Sequence, residues 1–194
     1  AITLTQFPGT KGYEPYRELL VRMIGREPCR SMGKDWVFSC SPLWHYLADL
    51  GKAATKRIPT DVKNWGKPEL EALLHFYLLG DGWSGVSSGG RKSWKSVTVS
   101  ERLADDLQEI AQKVGQYATI KVREPRDAMI DGREIRAEHC LPGHYLSFNI
   151  SACRTVQPVD SVPYVGTVHS VAVPNGTLYV RRNGSPVWSG SALP

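Results

Sequence analysis

The sequence predicts an α+β protein that ends in a small all-β segment. Three observations carry that reading. Apolar residues recur at helical spacing in YEPYRELLVRMIG, SPLWHYLADLG, PELEALLHFYLLG and SERLADDLQEIAQKVG. Between these stretches lie short runs that alternate with a period of two, such as SVTVS and YATIKV. The C-terminal stretch VPYVGTVHSVAVPNGTLYVRRNGSPVWSG loses the helical pattern and is cut by Pro174-Asn175-Gly176 and Asn183-Gly184, where Asn-Gly is a strong hairpin signal.

Taken in order, residues 1–12 read as a short turn-rich start, with Pro8-Gly9 and Gly12. The first helix carries Tyr16, Leu19, Leu20, Met23 and Ile24, and Gly25 stops it. CRSMGKDWVFSC reads as a hairpin turning at Gly33-Lys34. SPLWHYLADLG follows, with Ser41 as cap, Pro42 at the first helical position and Leu43, Leu47 and Leu50 on one face. A basic connector, GKAATKRIPTDVKNWGKP, leads into the helix PELEALLHFYLLG and then into polar, Gly/Ser-rich WSGVSSGGRKSW. Lys95–Ser100 reads as a strand, and Ser100 caps a helix that points Leu103, Leu107, Ile110 and Val114 one way before Gly115 ends it. YATIKVRE and HYLSFNIS are further strands around a charged loop. WVFSCSPLWHYLADLG and SVTVSERLADDLQEIAQKVG echo one another, which suggests a duplicated unit whose first copy lacks its opening helix.

The chain has 194 residues, a formal net charge of +5 and 41% hydrophobic residues, enough for packed cores and a weak sign of a polyanionic partner. Four cysteines, Cys29, Cys40, Cys140 and Cys153, form no CxxC pair, so a reduced intracellular protein is expected. No apolar run is long enough to span a membrane, and no signal peptide opens the chain. The expected setting is cytoplasmic, in a bacterial or phage-infected cell. The start, without Met, suits a processed product, a fragment or an engineered piece.

LHFYLLGDG, Leu74–Gly82, resembles the LAGLIDADG signature of homing endonucleases. Its surroundings are similar to the same family: KRIPTDVKNW to the connector before the second signature helix of intein endonucleases, and SVTVSERLADDLQEIAQKVGQYATIKVRE to the strand, helix and strand after it. VGTVHSVAVPNGTLYVRRNGSPVWSG is similar to the C-terminal splicing blocks of phage and bacterial inteins. The matches cover residues 13–190. The resemblance implies helices packed on antiparallel saddle sheets, followed by the β-rich C-terminal piece of a Hint splicing domain. It divides the chain into a partial first endonuclease repeat (1–58), a second LAGLIDADG repeat (59–155), a splicing segment (156–191) and extein or appended residues (192–194).

For cleavage, the resemblance implies Mg2+ held by Asp81 at the end of the signature helix, with Gly82 letting the chain turn. Phe76 and Gly80 fall on the family's helix-packing positions, where Phe76 departs from the expected glycine. Double-stranded DNA would meet Arg91, Lys92, Lys95, Lys121 and Arg123 on strands, Arg126, Arg133 and Arg136 in the nearby loop, and Lys52, Lys56 and Arg57 at backbone phosphate. The plain alternative for each cation is a solvated basic face. Trp83 and Trp94 read as packing residues rather than base-stacking ones.

For splicing, Ala1 is not a nucleophile and no Thr-x-x-His set follows it, so the N-terminal half must come from elsewhere. Ser191 stands where the terminal Asn belongs and cannot cyclise. His169 and Ser170 are the acid/base candidates near the junction, with a packed or surface role as the alternative for His169. His45, His75, His139 and His144 lack metal-ligand spacing. The expectation is therefore a C-terminal intein fragment with a homing-endonuclease region. It would splice with an N-terminal intein fragment and bind or cut DNA. The rivals are a stand-alone endonuclease paired with a second copy of itself, and an inactive DNA-binding or structural remnant.

Overall fold

The computed structural model describes residues 1–31, 33, 35–86, 92–149 and 160–190. The fold is mixed α+β on antiparallel sheets. The N-terminal elements are β1 (Ile2–Thr5), α1 (Tyr13–Ile24), β2 (Cys29–Ser31), β3 (Asp35–Phe38) and α2 (Ser41–Ala48). A connector with a 3-10 turn at Ala53–Thr55 leads to α3 (Thr60–Lys63), α4 (Lys67–Asp81), β4 (Gly82–Val86), β5 (Lys92–Thr98), α5 (Glu101–Lys113) and β6 (Tyr117–Arg123). Then come β7 (Ala128–Ile130), β8 (Arg133–Ile135), a 3-10 turn at Ala137–His139, β9 (Gly143–Asn149), and the terminal hairpin of β10 (Thr177–Arg182) and β11 (Ser185–Gly190).

The main body is a four-stranded sheet, β4-β5-β9-β6, with α4 and α5 on one face. Local chemistry sets α5 where the sequence expects it. Ser100 Oγ accepts the Leu103 N–H at 3.1 Å, Leu107, Ile110 and Val114 are buried, and Gly115 takes φ +84° to end the helix. Leu70, Leu74 and Leu78 repeat every fourth residue of α4 and are buried against the same core. Ala118, Leu146 and Phe148 meet them from the sheet. Each fully buried Leu, Ile or Phe contributes about 1.5–3 kcal/mol, so this cluster holds the body together.

A second, smaller unit is the sheet β1-β3-β2 with α1, whose buried apolar residues are Leu20, Trp36 and Phe38. Gly25 ends α1 at φ +73°, with its N–H on the Val21 carbonyl at 2.8 Å. The expected turn-rich start holds at 8–12, but Ile2–Thr5 is a strand, paired with Phe38–Asp35. The repeat also has a different register from the sequence echo. In the first unit, strand, helix, strand, strand give the order β1-β3-β2, with the last strand central. In the second, β5, α5, β6 and β9 give β5-β9-β6, again antiparallel and with the last strand central. Thus β3 corresponds to β9 rather than to β5.

Three more expectations are revised. The residue capping α2 is Cys40, whose carbonyl accepts the Trp44 N–H at 2.9 Å; Ser41 already lies inside the helix. The shared face of α2 is covered only in part: Leu43 packs against the Leu20, Trp36 and Phe38 cluster, while Leu47 is 41% exposed. The Val-rich stretch 160–173 forms no strand among the described residues, and its side chains are exposed up to Ala172. The Asn183-Gly184 hairpin does form, with φ +51° and +71° at the two turn residues. No described helix is long and apolar enough to cross a membrane.

Candidate nucleic-acid interface

Strand pleating sorts the main sheet into two faces. Ser96, Leu146 and Ile120 are cross-strand neighbours on the helix side, as are Trp94, Phe148 and Ala118. No described helix packs on the other face. Across it, Trp83, Lys95, Ser147 and Thr119 stand in one row, and Val97, Tyr145 and Lys121 in the next. Arg123, opposite Gly143, extends that side, and its guanidinium carbon lies 4.5 Å from the Tyr145 ring centroid. Lys95, Lys121, Arg123 and Trp83 are exposed. No Asp or Glu shares this face among the described strand residues.

The cationic connection between β6 and β9 borders the face. Arg126 lines the same groove as Lys121, Arg123, Tyr145 and Leu141. Beyond it, β7 and β8 form a hairpin turned by Asp131-Gly132, both at positive φ, and the Asp127 carboxylate accepts the Ala137 N–H at 2.8 Å to close the loop. Arg133 opens β8 and is exposed. Arg136 lies 3.7 Å from Glu134 and 3.8 Å from Glu138, which offsets part of its charge. Arg91 lies outside the described residues, and Lys92 is described for its backbone alone.

Asp81 closes α4 with its side chain exposed. It lines a concavity together with Lys56, Tyr77, Thr98 and Leu103. Burial pushes the Tyr77 hydroxyl above its usual range, more than the neighbouring Ser96 hydroxyl lowers it, and the Asp81 charge adds to the rise. Tyr16 is raised for the same two reasons, burial first and then Asp81. Both phenols therefore stay protonated donors beside the carboxylate at neutral pH. Lys56 is held there through its backbone: its carbonyl accepts the Ser100 hydroxyl at 2.6 Å, and two residues on, the Ile58 N–H donates to Asp106 at 2.8 Å. The sequence reading assigned Lys56 to backbone phosphate. The fold puts it in the Asp81 concavity. Lys52 caps the 3-10 turn, where its N–H donates to Thr55 Oγ1 at 3.0 Å, and the Arg57 N–H donates to the Leu50 carbonyl at 3.0 Å.

The packing residues of α4 behave differently from expectation. Gly82 is in extended backbone, φ −105°, so it makes no special turn. Its need for glycine is steric: a Cβ would sit 2.5 Å from the Leu78 carbonyl oxygen. At Gly80 a Cβ would lie 2.7 Å from the Tyr16 hydroxyl. Phe76 meets the Tyr16 ring at 5.5 Å between centroids, and its carbonyl accepts the Tyr16 hydroxyl. An aromatic contact to α1 thus occupies the face where small residues were expected.

The C-terminal hairpin docks on α5 and β6. Gly184 accepts from the Ile120 N–H at 3.0 Å and from the Gln108 amide at 3.0 Å, and Arg181 pairs with Asp105. His169 and Ser170 are exposed in the irregular stretch before it, and Ser191 and Cys153 lie outside the described residues.

Sequence reasoning missed Trp83, Thr119, Tyr145, Ser147 and Asn149 as surface partners of the lysines, and read Trp83 as packing although it is 43% exposed. The period-two rule applied along β6 from Lys121 would have found Thr119; Trp83, Tyr145, Ser147 and Asn149 join the face only through the cross-strand register. Trp94, also read as packing, does lie against the core.

No family model matches the chain. A comparison with known proteins finds a DNA-directed RNA polymerase subunit beta C-terminal section from Stigeoclonium helveticum, 28% identical over 109 residues, which cover 49% of this chain and 10% of that protein. The chain spans about a tenth of the length of the relative that it matches. Neither comparison assigns the chain to a family.

Proposed function

We propose that the chain is the C-terminal part of an intein whose insert is a DNA-binding region of the LAGLIDADG homing-endonuclease type, acting in protein splicing with an N-terminal partner. The observation that carries this reading is the open sheet face with Lys95, Lys121 and Arg123 exposed on it and no acid among its described residues. A two-stranded antiparallel ribbon fits the major groove, where Lys and Arg can neutralise the flanking phosphates and Ser, Thr and Asn supply further polar contacts. The antiparallel sheet with helices on its other face agrees with the saddle architecture of that family, and the terminal hairpin with the end of a Hint domain. Cytoplasmic DNA of a bacterial or phage-infected cell would be the target.

Asp81 is the candidate metal ligand. It offers one hard oxygen, and Mg2+ is commonly held by one or two carboxylates, with water and substrate phosphate in its remaining positions. Bound there, the ion would stabilise charge on a scissile phosphate. Lys56, in the same concavity, would bind that phosphate, and Tyr77 would donate to it. A second reading, a DNA-binding remnant that does not cut, is favoured by one fact: Asp81 is the sole carboxylate among the residues lining the concavity.

The test is duplex binding followed by fluorescence anisotropy across a salt series. Three phosphate-neutralising cations give a slope of log K against log salt of about −2.7. Lys121→Ala with Arg123→Ala should bring the slope to about −0.9. Salt-independent binding, or a slope untouched by the double variant, overturns the DNA reading. Mg2+-dependent nicking lost in Asp81→Asn supports the nuclease, and binding without nicking supports the remnant. Splicing is tested separately, with Ser191→Asn and Ala192→Cys and an N-terminal fragment. No C-terminal cleavage from a folded, partner-bound chain overturns the junction.

A further inference from the structure

The groove at the end of the open sheet face mixes apolar and cationic groups. Val97, in β5, and Val99, just after it, are 41% and 37% exposed, and Leu141, which lines the groove too, is 53% exposed. Lys121, Arg123 and Arg126 share it with them, and Glu124 is the one acid among its described lining residues. The groove measures about 940 Å³. Sites for small organic ligands measure about 300–1,000 Å³, so a nucleotide fits.

Flat groups are already stacked there. The Arg123 guanidinium carbon lies 4.5 Å from the Tyr145 ring centroid, and both residues line the groove. Tyr145 stands on the open face, in the row with Val97 and Lys121. Trp83, 43% exposed, is on the same face beyond β5, with Lys95 on the strand between. Strand spacing and rise put the Trp83 and Tyr145 backbones about 12 Å apart. A paired base is buried in its stack and turns only an edge to a protein, so a duplex offers these rings no flat partner. An unpaired base does, and it stacks on aromatic rings and on guanidinium planes whatever its sequence.

We propose that this groove takes unpaired nucleotides of a single-stranded nucleic acid. A base continues the Arg123–Tyr145 stack beside Val97 and Leu141. Lys121 and Arg126 neutralise its phosphates, and the strand runs on past Lys95 to Trp83. The proposal rests on the reading of the open face as a nucleic-acid surface, and it adds a preference for unpaired strands at the groove.

The test is fluorescence anisotropy of the full chain with a labelled single-stranded DNA of about 12 nucleotides, with RNA of the same sequence, and with the DNA duplex. Saturable binding of a single strand is expected. Tyr145→Leu should weaken it about fivefold to a hundredfold, the effect of one lost base stack, and weaken duplex binding less. Tyr145→Phe keeps the ring and should bind single strands like the parent. Leu141→Ala, at an exposed side chain, should act in the same direction as Tyr145→Leu, and a cooperative urea transition shows that each variant is folded. The strand that loses affinity in the leucine variant, DNA or RNA, is the ligand. Binding of the duplex without either single strand overturns the proposal and leaves the duplex reading standing, whereas binding of none of the three overturns both. Single-strand binding that Tyr145→Leu leaves unchanged is phosphate attraction alone and overturns the proposal. So does an equal loss for single strand and duplex, which marks Tyr145 as part of the duplex surface.

Discussion

Asp106→Ala should destabilise the chain by about 3 kcal/mol, near the low end of the range for breaking a buried ion pair. Asp106 is 5% exposed on the inner side of α5 and holds two groups at once. It accepts from the Ile58 N–H at 2.8 Å and from the Lys63 ammonium at 2.8 Å. Removing the carboxylate strands an N–H, which costs about 1–3 kcal/mol, and leaves a largely covered ammonium with one partner. That partner, Glu109 at 2.9 Å, keeps the loss at the low end. Asp106→Asn preserves an acceptor for Ile58 and should cost about 1–1.5 kcal/mol. Lys63→Met in the Asp106→Ala background should recover part of the loss, because the stranded charge is gone. Urea unfolding followed by circular dichroism measures all three. An Asp106→Ala cost below about 1 kcal/mol, or equal costs for Ala and Asn, refutes the reasoning. The consequence reaches the Asp81 concavity, because the Ile58 bond helps to fix the backbone around Lys56.

Other consequences are sharper at single positions. Gly184→Ala places a Cβ 2.1 Å from the Ile120 carbonyl oxygen at φ +71°, so the hairpin should leave β6 and proteolysis within β10–β11 should accelerate; unchanged cleavage rates would contradict the docking. Arg181→Ala, at a pair whose side chains are 36% and 38% exposed, should cost no more than about 1 kcal/mol in the same unfolding assay. Tyr16→Phe should cost about 1 kcal/mol for the lost bond to Phe76, and Gly80→Ala should be milder in that background than alone because the clashing hydroxyl is absent; equal effects in both backgrounds would reject the contact. For pH, burial alone would raise Glu109, but Lys113 and Lys63 outweigh it and hold the carboxyl low. Its stabilisation is present above the ordinary Glu value of about 4.3 and is lost as pH falls through the lowered one. Lys63, which burial alone would lower, is raised by Asp106 and Glu109, and Tyr179 is pushed up to about 12 by burial and then by Tyr117. Their stabilisation is full below the ordinary values near 10 and is lost as pH rises through the raised ones. Urea midpoints should therefore fall at both ends, and Glu109→Gln should flatten the acid limb.

Local signals were legible, and long-range ones were not. Ser100, Gly25, Gly115 and Asn183-Gly184 act on their own neighbours, so their roles follow from sequence alone. Ile2–Thr5 was missed because four residues carry little pattern and their partner, Phe38–Asp35, lies thirty residues or more downstream. The same distance hid the true register of the repeat. The Val-rich stretch before the hairpin shows the converse: β-branched residues favour a strand only where a partner strand and a covered face exist. At the site, the cations were found by charge, but their face became readable only from the cross-strand register. Lys56 reached Asp81 through contacts from Ser100 and Asp106, which sit more than forty residues away along the chain.

The features assigned to binding and to chemistry stand on separate supports. The cationic face depends on strand register, which Leu146, Phe148 and Ala118 lock by burying the opposite side of the same strands. The Asp81 concavity depends on the end of α4 and on a connector pinned to α5. A change in the connector can therefore move Lys56 while leaving Lys95, Lys121 and Arg123 in place. Asp106→Asn should then alter any Mg2+-dependent chemistry more than duplex affinity, whereas Lys121→Ala should do the reverse. If both variants changed affinity alike, the face and the concavity would have to be treated as one surface.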